Sequence, residues 1–297
     1  MKISLYPPLC IHEIGQRDNQ EDTIDHWRDC LFVLCDGMGG HEKGEVASQT
    51  VCKSLSSWFE DHVNPDSFTD DLLRSAIEYA YTELDKYADG NLKQMGTTLT
   101  LLFINNNGVT AAHMGDSRIY HIRPGERILY QSRDHSLVFD LFQAGEITYE
   151  EMLNYPQKNI VTRAMTPGED NRMRPDIIHI SDIQPNDYFY MCSDGMIEAM
   201  NNKELISILS SKESDIEKRD RFIDRTKENQ DNHSAWIIHV KNVIKEEKDT
   251  TLLNEELTSR YNVISRLPES ISEDDDVVIV NEKKFLFNTF KKLFKGE

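Results

Sequence analysis

Short apolar runs dominate the first 240 or so residues of the chain, and their lengths predict β-strands. Eight strands are predicted, at 31–35, 97–104, 109–114, 118–122, 128–131, 177–180, 187–193 and 234–240. Asn107-Gly108 separates two of these runs, and both residues tolerate positive φ, which is typical of a tight hairpin turn. The runs do not alternate regularly with helical segments, so the pattern favours antiparallel pairing over a parallel sheet.

Apolar residues recur at helical spacing in two longer segments, 45–59 and 70–87, which predicts two amphipathic helices. A shorter pair of helices is predicted over about 137–154, divided near Gly145. The second of this pair begins with Thr148 and Glu151, which are three residues apart as in a capping box. Many short strands with a few helices indicate the α+β class.

The composition changes after residue 244, where we place the end of the main domain, 1–244. Residues 245–275 are rich in Glu, Lys, Asp, Ser and Asn, and a short apolar stretch at 277–280 is a possible strand. The chain ends with KKFLFNTFKKLFKGE, in which Phe and Leu alternate with Lys. We interpret 245–297 as a charged linker with a basic amphipathic tail. The tail either packs as a terminal helix or makes weak contact with a membrane or an acidic partner.

Composition narrows the function classes. The 297 residues are 38% hydrophobic and 29% charged, which is typical of a soluble globular protein. The net charge of -19 argues against nucleic-acid binding, which requires a basic surface. No signal peptide or membrane span is predicted. The five cysteines form no CxxC pair and suit a reducing compartment, so a cytoplasmic location is expected.

Acidic residues lie next to glycine at the ends of three predicted strands. The three places are LFVLC before Asp36-Gly37, YFYMCS before Asp194-Gly195 and TAAHM before Gly115-Asp116. One Asp-Gly pair after a strand is usually a turn. Three in one domain favour a metal site, because strands fix carboxylates while glycine lets backbone carbonyls and water approach a cation. Oxygen ligands select Mg²⁺ or Mn²⁺ over Zn²⁺, and two such ions can activate water for attack on phosphorus.

Two further segments carry candidate residues. GQRDNQED supplies Arg17, Glu21 and Asp22, and the planar fork of an arginine matches phosphate oxygens. Taken alone, this octapeptide is better interpreted as an ordinary polar loop. Asp231 precedes the alternating run in DNHSAWIIHV and is therefore another acid at the edge of a strand.

These segments occur in a fixed order that resembles a known family. The matching motifs are GQRDNQED, FVLCDGMGGHEKGEVAS, MGTTLTLL, AAHMGDSRIY, SRDHSLV, AGEIT, NIVTRAM, CSDGM and DNHSAWII. Over about residues 10–240 the chain resembles the type 2C (PPM) metal-dependent protein phosphatases in their bacterial form. The resemblance implies a four-layer α-β-β-α sandwich with two central antiparallel sheets. It also implies hydrolysis of phosphoserine and phosphothreonine, by in-line attack of a hydroxide that bridges two Mg²⁺ or Mn²⁺ ions.

The resemblance also implies roles for single residues. Asp36 would bridge both ions, and the Gly37 carbonyl would contact one of them. Asp194 and Asp231 would complete the shell of the first ion. The acid in EDDDVVIV, Asp275, is an alternative to Asp231, but its distance of 81 positions from Asp194 fits the family less well than the 37 positions of Asp231.

The second ion and the substrate have their own implied residues. Glu21 and Asp22 would serve the second ion, directly or through water. Asp116 matches an acid that bacterial members use for a weaker third ion. Arg17 matches the arginine that binds the substrate phosphate, and residues 136–162 match a mobile flap that influences substrate choice.

One departure from the family concerns the general acid. Many eukaryotic members have histidine directly after Asp-Gly, whereas this chain has Met38, so the group that protonates the leaving alkoxide is unassigned. A bound water could supply that proton. His41, His113 and His135 are interpreted as structural residues.

Two other functions are alternatives to phosphatase activity. The glycines of DGMGGHEKGE suggest a P-loop, but the Gly-Lys-Ser/Thr ending that binds phosphate and Mg²⁺ is missing. A catalytically inactive phosphatase fold that acts as a binding module is the remaining alternative. The expected partners are phosphoprotein substrates of a bacterial serine/threonine kinase, and the expected state is a monomer.

Overall fold

The computed structural model describes residues 1–39, 43–88, 95–125, 127–157, 160–168 and 172–245. The chain divides into two units, Met1–Ile244 and Lys245–Glu297. The predictions for His41, for the strand at 277–280 and for the basic tail lie outside the described residues and stay predictions. None of the helices in the described part of the chain is both long enough and apolar enough to cross a bilayer.

Six strands form the first sheet in the order β1-β12-β11-β8-β9, and β2 pairs with the same strand as β1. These strands are β1 (Lys2–Leu5), β2 (Leu9–Glu13), β8 (Arg118–Arg123), β9 (Arg127–Gln131), β11 (Tyr188–Cys192) and β12 (His233–Ile244). Twelve residues make β12 long enough to pair with β2 along its first half and with β1 along its second. All pairs are antiparallel, as predicted.

The second sheet also has six strands, in the order β10-β7-β6-β4-β3, with β5 paired to β4. They are β3 (Asp22–Trp27), β4 (Leu31–Gly39), β5 (Met95–Thr97), β6 (Leu99–Asn105), β7 (Gly108–Met114) and β10 (Asp176–Ile180). The single strand predicted at 97–104 is wrong in one respect, because it is divided between β5 and β6. Thr98 lies at the division and bonds to the backbone of Asp36.

Seven α-helices and one short 3₁₀ helix (Pro65–Ser67) complete the described part of the chain. They are α1 (Lys43–His62), α2 (Asp70–Asp85), α3 (Leu137–Ala144), α4 (Tyr149–Leu153), α5 (Asp194–Glu198), α6 (Asn202–Leu209) and α7 (Asp215–Thr226). The predicted capping box of α4 is present, with Thr148 and Glu151 bonded reciprocally. Gly145 ends α3 with a φ of 75°, which confirms the predicted division of this pair.

The buried side chains explain why β4 reads as an unbroken apolar run. Leu31, Val33 and Cys35 pack in one cluster with α1 and α2, whereas Phe32 and Leu34 pack between the two sheets. Alternate residues of a strand point to opposite faces, so a strand covered on both faces must be apolar at every position.

A third apolar cluster joins the first sheet to the helices on its outer face. Met196 of α5, Leu209 of α6 and Phe222 of α7 pack in it with Tyr190 of β11. The layers are therefore helices, sheet, sheet and helices. This arrangement confirms the predicted α+β four-layer sandwich.

The predicted hairpin between β6 and β7 is present, but its turn is one residue earlier than expected. Asn105 pairs with Gly108, so the two loop residues are 106 and 107. Only Gly108 of the predicted Asn-Gly pair has positive φ, at 130°. A Cβ on Gly108 would lie 2.2 Å from the carbonyl oxygen of Ile180, so the close approach of β10 also requires glycine.

A hydrogen-bonded cluster joins α7 to the first sheet, at the opposite end of β12 from Asp231. Asp215 accepts a bond of 2.5 Å from the Tyr188 hydroxyl and one of 2.7 Å from Nδ1 of His239. Lys218 donates to the same Tyr188 hydroxyl at 2.9 Å. Burial alone would raise the pKa of Asp215, but the bonds from His239 and Tyr188 bring it below its ordinary value.

We expect Asp215→Ala to lower the free energy of unfolding by about 2–3 kcal/mol, because it leaves Tyr188 and His239 without their acceptor. Urea unfolding at pH 7 measures this change, and phosphatase activity per folded molecule should not change. Asp220→Ala is the matched control, since Asp220 is exposed on the same helix. Equal midpoints for the two variants would contradict the prediction.

Candidate metal centre

The predicted acidic residues lie at one edge of the sandwich, where strands of both sheets end. In the second sheet, Asp22 at the start of β3 pairs with Asp36 of β4. In the first sheet, β11 ends just before Ser193, and β12 begins just after Asn232. The two sheets are joined there by a hydrogen bond of 2.8 Å from the Ser193 hydroxyl to Oδ2 of Asp22.

Asp36 lies inside a strand, so the expectation that it follows the end of a strand was wrong. β4 continues to Gly39 because Gly37 to Gly39 pair with β5. The backbone of Asp36 is bonded on both sides: its N–H donates to Oγ1 of Thr98 at 2.9 Å, and its carbonyl accepts from the Thr98 N–H at 2.8 Å. These bonds fix the backbone from which the carboxylate projects.

Gly37 occupies a place with no room for a side chain. A Cβ there would lie 2.2 Å from the carbonyl oxygen of Gly44 and 2.6 Å from that of Glu21. Its N–H donates to the carbonyl of Glu21 at 3.0 Å, and the Ser48 hydroxyl donates to the same carbonyl. The glycine therefore lets the start of α1 and the residue before β3 approach β4 closely, which holds Glu21 beside Asp36.

Asp22 is a buried carboxylate with only one of its two oxygens hydrogen-bonded among the described residues. Its Oδ1 has no hydrogen-bond partner among the described residues, while Oδ2 accepts from Ser193. Burial and, to a smaller extent, the nearby carboxylates of Asp194 and Asp231 together raise the pKa of Asp22 to about 7. A buried polar atom without a partner needs an explanation, and a cation is a suitable one for a carboxylate oxygen.

Asp194 and Asp116 bring two more negative charges to this edge. Asp194 is the first residue of α5 rather than part of a turn, and burial together with the charges of Asp231 and Glu198 raises its pKa to about 6. Asp116 lies in the bend between β7 and β8, where burial and the charges of Asp194 and Asp134 raise its pKa to about 7.

Asp231 and Arg17 form an ion pair beside these acids. The Arg17 Nη2 donates to Oδ2 of Asp231 at 2.8 Å, and Oδ1 accepts from the backbone N–H of Asn232 at 2.8 Å. The Arg17 side chain is 59% exposed, so it faces solvent as well as the acid. The pair places a partly exposed guanidinium next to the carboxylates.

Asn232 is a residue that sequence reasoning missed. Its Nδ2 donates to the carbonyls of Ile14 and Asn19 at 2.8 and 3.0 Å, and its Oδ1 accepts from the N–H of Glu21 at 2.7 Å. A Cβ on Gly195 would lie 2.1 Å from the Asn232 carbonyl oxygen. Asn232 therefore holds the segment that carries Arg17, Glu21 and Asp22 against the segment that carries Asp231.

The predicted acidic residues lie together at this edge, and their carboxylates are close enough to raise one another's pKa. The pKa of Asp36 is raised well above its ordinary value by burial and by four other carboxylates, those of Asp22, Asp194, Asp116 and Asp231. The pKa of Glu21 is also raised, mainly by burial. Such a group of carboxylates needs positive charge, and its oxygen-only donors fit hard divalent cations such as Mg²⁺ or Mn²⁺.

Comparisons with known proteins show the family of the chain. A family model for protein phosphatase 2C matches residues 13–236. A putative protein phosphatase 2C-type from Streptococcus pyogenes is 36% identical over 231 residues, which cover 75% of this chain and 90% of that protein. The structure of serine/threonine phosphatase Stp1 from Staphylococcus aureus has a TM-score of 0.70 and 30% identity, covering 82% of this chain and 98% of that one.

A further structural neighbour contains metal. The catalytic domain of the serine/threonine protein phosphatase PstP, in complex with two manganese ions, has a TM-score of 0.67 and 27% identity, covering 79% of this chain and 98% of that one. The chain belongs to the protein phosphatase 2C family, whose members are metal-dependent phosphatases. Membership confirms the resemblance seen in the motifs and the assignment as a phosphatase. The roles predicted for single acidic residues stay predictions.

Proposed function

We propose that the protein hydrolyses phosphoserine and phosphothreonine in other proteins, with two divalent cations, Mg²⁺ or Mn²⁺, held at the edge of the sandwich. One observation carries the proposal: acidic side chains from both sheets converge there and raise each other's pKa. The relatives support the substrate class, because several are called serine/threonine phosphatases. A cytoplasmic monomer that acts on the products of a serine/threonine kinase is the setting that we propose.

The acidic residues divide the work of holding the cations. We assign Asp36 to both ions, Asp194 and Asp231 to the first, and Glu21 and Asp22 to the second, directly or through water. Oδ1 of Asp22 has no hydrogen-bond partner in the described part of the chain, which supports its part in this set. When bound, the cations supply an acidified water as nucleophile and offset the charge of the phosphoryl group.

Two backbone or side-chain groups complete the proposed shells. The carbonyl of Gly37 would contact one ion, and the close packing of Gly44 and Glu21 against this glycine fixes the backbone there. Asp116, with Asp194, would bind a weaker third ion, and their electrostatic interaction supports this pairing.

Arg17 is the proposed phosphate-binding residue. Its guanidinium is exposed and bonded to Asp231 on one side, so it can turn toward a phosphate while Asp231 turns toward a cation. A planar fork of donors suits two phosphate oxygens and orients phosphorus for in-line attack. The thioether of Met38 cannot donate a proton, so we assign protonation of the leaving alkoxide to water.

Hydrolysis of p-nitrophenyl phosphate and of a phosphothreonine peptide tests the proposal, with Mn²⁺ against EDTA. We expect turnover that depends on the metal. Asp231→Asn should reduce it about a hundredfold, because the first ion loses a charged ligand. Asp275→Asn is the matched control and should behave as the unchanged protein. A reversed pattern would assign the ligand to Asp275, and absence of any metal-dependent turnover would favour the binding-module alternative.

A further inference from the structure

The segment Asp134–His135 bonds directly to the loop that carries Asp116. The N–H of His135 donates to the Gly115 carbonyl at 2.9 Å, and the N–H of Gly115 donates to Nδ1 of His135 at 3.1 Å. Both polar groups of the Gly115 peptide backbone are thus held by one residue. Gly115 has a φ of 109°, so the loop adopts a conformation that few other residues would accept.

The same segment holds the other end of the loop. Arg118 forms two parallel bonds to Asp134, from Nε to Oδ1 at 2.8 Å and from Nη2 to Oδ2 at 2.7 Å. These side chains are only 21% and 16% exposed. Paired bonds of this kind fix both distance and orientation. Asp116 therefore lies between two anchor points, Gly115 and Arg118, which both attach to Asp134–His135.

The two ends of the segment 136–162 meet next to His135. The carbonyl of His135 accepts a bond of 2.8 Å from the N–H of Thr162, and Ser136 forms an isolated β-bridge with Val161. This segment contains α3 and α4 and corresponds to the predicted flap. His135 therefore connects the base of this segment to Gly115 through hydrogen bonds.

A metal site at His135 is a competing explanation. His113, His135 and Asp176 have potential ligand atoms within 4.8 Å of one another. However, Nδ1 of His135 accepts from Gly115, so Nε2 carries the proton and donates to Asp176 at 3.2 Å. The carboxylate of Asp176 also accepts from Arg163 at 3.0 Å.

The second histidine of this group is engaged as well. Nε2 of His113 donates to the Arg133 carbonyl at 2.8 Å, and its ring stacks on that of His135 with centroids 4.8 Å apart. The contacts therefore describe a hydrogen-bonded network in which both ring nitrogens of His135 and Nε2 of His113 have partners without a cation.

We propose that Asp134 and His135 are positioning residues, which set the place of Asp116 and couple it to the segment 136–162. The inference rests on the proposed function, because the place of Asp116 matters only if the acidic edge binds cations. His135 acts through the lone pair of Nδ1, and Asp134 acts through its two bonds to Arg118.

Two substitutions of His135 separate the roles of its ring nitrogens. Asn carries an oxygen at the δ position and can accept from the Gly115 N–H, whereas the amide of Gln lies at the ε position and can reach Asp176 instead. We expect His135→Gln to weaken the weakest Mn²⁺-binding step of the full chain about tenfold in calorimetric titration with MnCl₂. His135→Asn should remain within about threefold of the unchanged protein.

Kinetics and amide exchange give independent readouts. In His135→Gln, the Mn²⁺ concentration for half-maximal activity should rise about tenfold while kcat at saturating Mn²⁺ changes little. Amides of Gly115 and of 136–162 should exchange faster than in His135→Asn. Asp134→Asn, which weakens the bonds to Arg118, should change the same readouts. His179→Gln, an exposed histidine of β10, is the control for substitution alone.

The other outcomes count against the proposal. If both His135 variants match the unchanged protein, or both are impaired equally, positioning through Nδ1 is wrong. If His135→Asn is impaired and His135→Gln is not, the residue acts through Nε2, as a metal ligand would. Should the unchanged protein fail to hydrolyse phosphate esters, the proposed function falls, while Mn²⁺ titration and amide exchange still decide the positioning role.

Discussion

Asp36→Asn is expected to lower phosphatase turnover by about a thousandfold while the protein keeps its fold. The charges of four other carboxylates at the edge of the sandwich act on Asp36, and Asp36 is the residue that we assign to both ions. Asparagine has the same shape but no charge. The substitution therefore lowers the affinity for both cations without changing the volume of the side chain. Turnover with saturating Mn²⁺ measures the loss.

Stability in EDTA separates this explanation from simple unfolding. Because the pKa of Asp36 is raised by burial and by like charges, its ionised form is destabilising when no cation is bound, so Asp36→Asn should be at least as stable as the unchanged protein at pH 8. Added Mn²⁺ should raise the melting temperature of the unchanged protein more than that of the variant.

Asp187→Asn is the matched control, because it is the same substitution at a paired carboxylate. Asp187 is buried, and burial alone would raise its pKa, but bonds from His121 and Arg123 bring the value down to about 2. Its loss should destabilise the fold and spare turnover per folded molecule. Near-normal turnover of Asp36→Asn would show that the assigned centre is wrong. If Asp36→Asn were as destabilised as Asp187→Asn, the charge of Asp36 would be compensated by other groups in the folded protein.

The acidic edge was predictable because its residues adjoin long apolar runs. Asp36 comes directly after a segment that is buried on both faces, and Asp194 comes one residue after another such segment. Segments of this kind are easily recognised in a sequence because every position is apolar. The continuation of β4 past Asp36 was not predictable from the run itself. It depends on pairing with β5, about sixty residues later, and a partner so distant leaves no local signal.

Three strands were missed for the same reason. β1 (Lys2–Leu5), β2 (Leu9–Glu13) and β3 (Asp22–Trp27) are short and partly polar, and they are strands because longer strands, β12 and β4, pair with them. Asn232 was missed because its amide bonds to residues more than two hundred positions away. Periodicity does not report contacts of this kind.

Two missed helices did carry a usable signal. α6 begins with a capping box formed by Asn201 and Glu204, and α7 begins with one formed by Ser214 and Glu217. The spacing of these residues marks a helix start even where the helix itself is mostly polar. The buried face of α7 is narrow, so apolar periodicity alone was too weak to indicate it.

Without divalent cations, the folded protein is expected to lose stability as the pH rises from about 5 to about 7.5. The pKa values of Asp22 and Asp116 are raised to about 7, and that of Asp194 to about 6, mainly by burial. An unfolded aspartate ionises near pH 4. Over this range the folded state therefore holds protons that the unfolded state has released, and each rise in pH disfavours folding.

Other groups change the size of this loss but not its sign. Burial and the neighbouring His135 lower the pKa of His113 to about 4, so its contribution to stability increases with pH until about 6.5, where an unfolded histidine titrates. The depressed pKa of Asp187 affects stability only below about pH 4. The carboxyls of Asp22, Asp116 and Asp194 against this one histidine leave an expected net loss of about 4–5 kcal/mol between pH 5 and 7.5, and the raised pKa of Asp36 adds to it.

Urea unfolding at several pH values, in EDTA and in saturating Mn²⁺, measures the effect. With Mn²⁺ the loss should vanish or reverse, because cations compete with protons for the same oxygens and bind more tightly as those protons leave. Asp22→Asn should flatten the EDTA curve by about 1.4 kcal/mol per pH unit between pH 5 and 7, since it removes one of the raised carboxyls. A free energy of unfolding that climbs with pH in EDTA would mean that other groups already neutralise this edge.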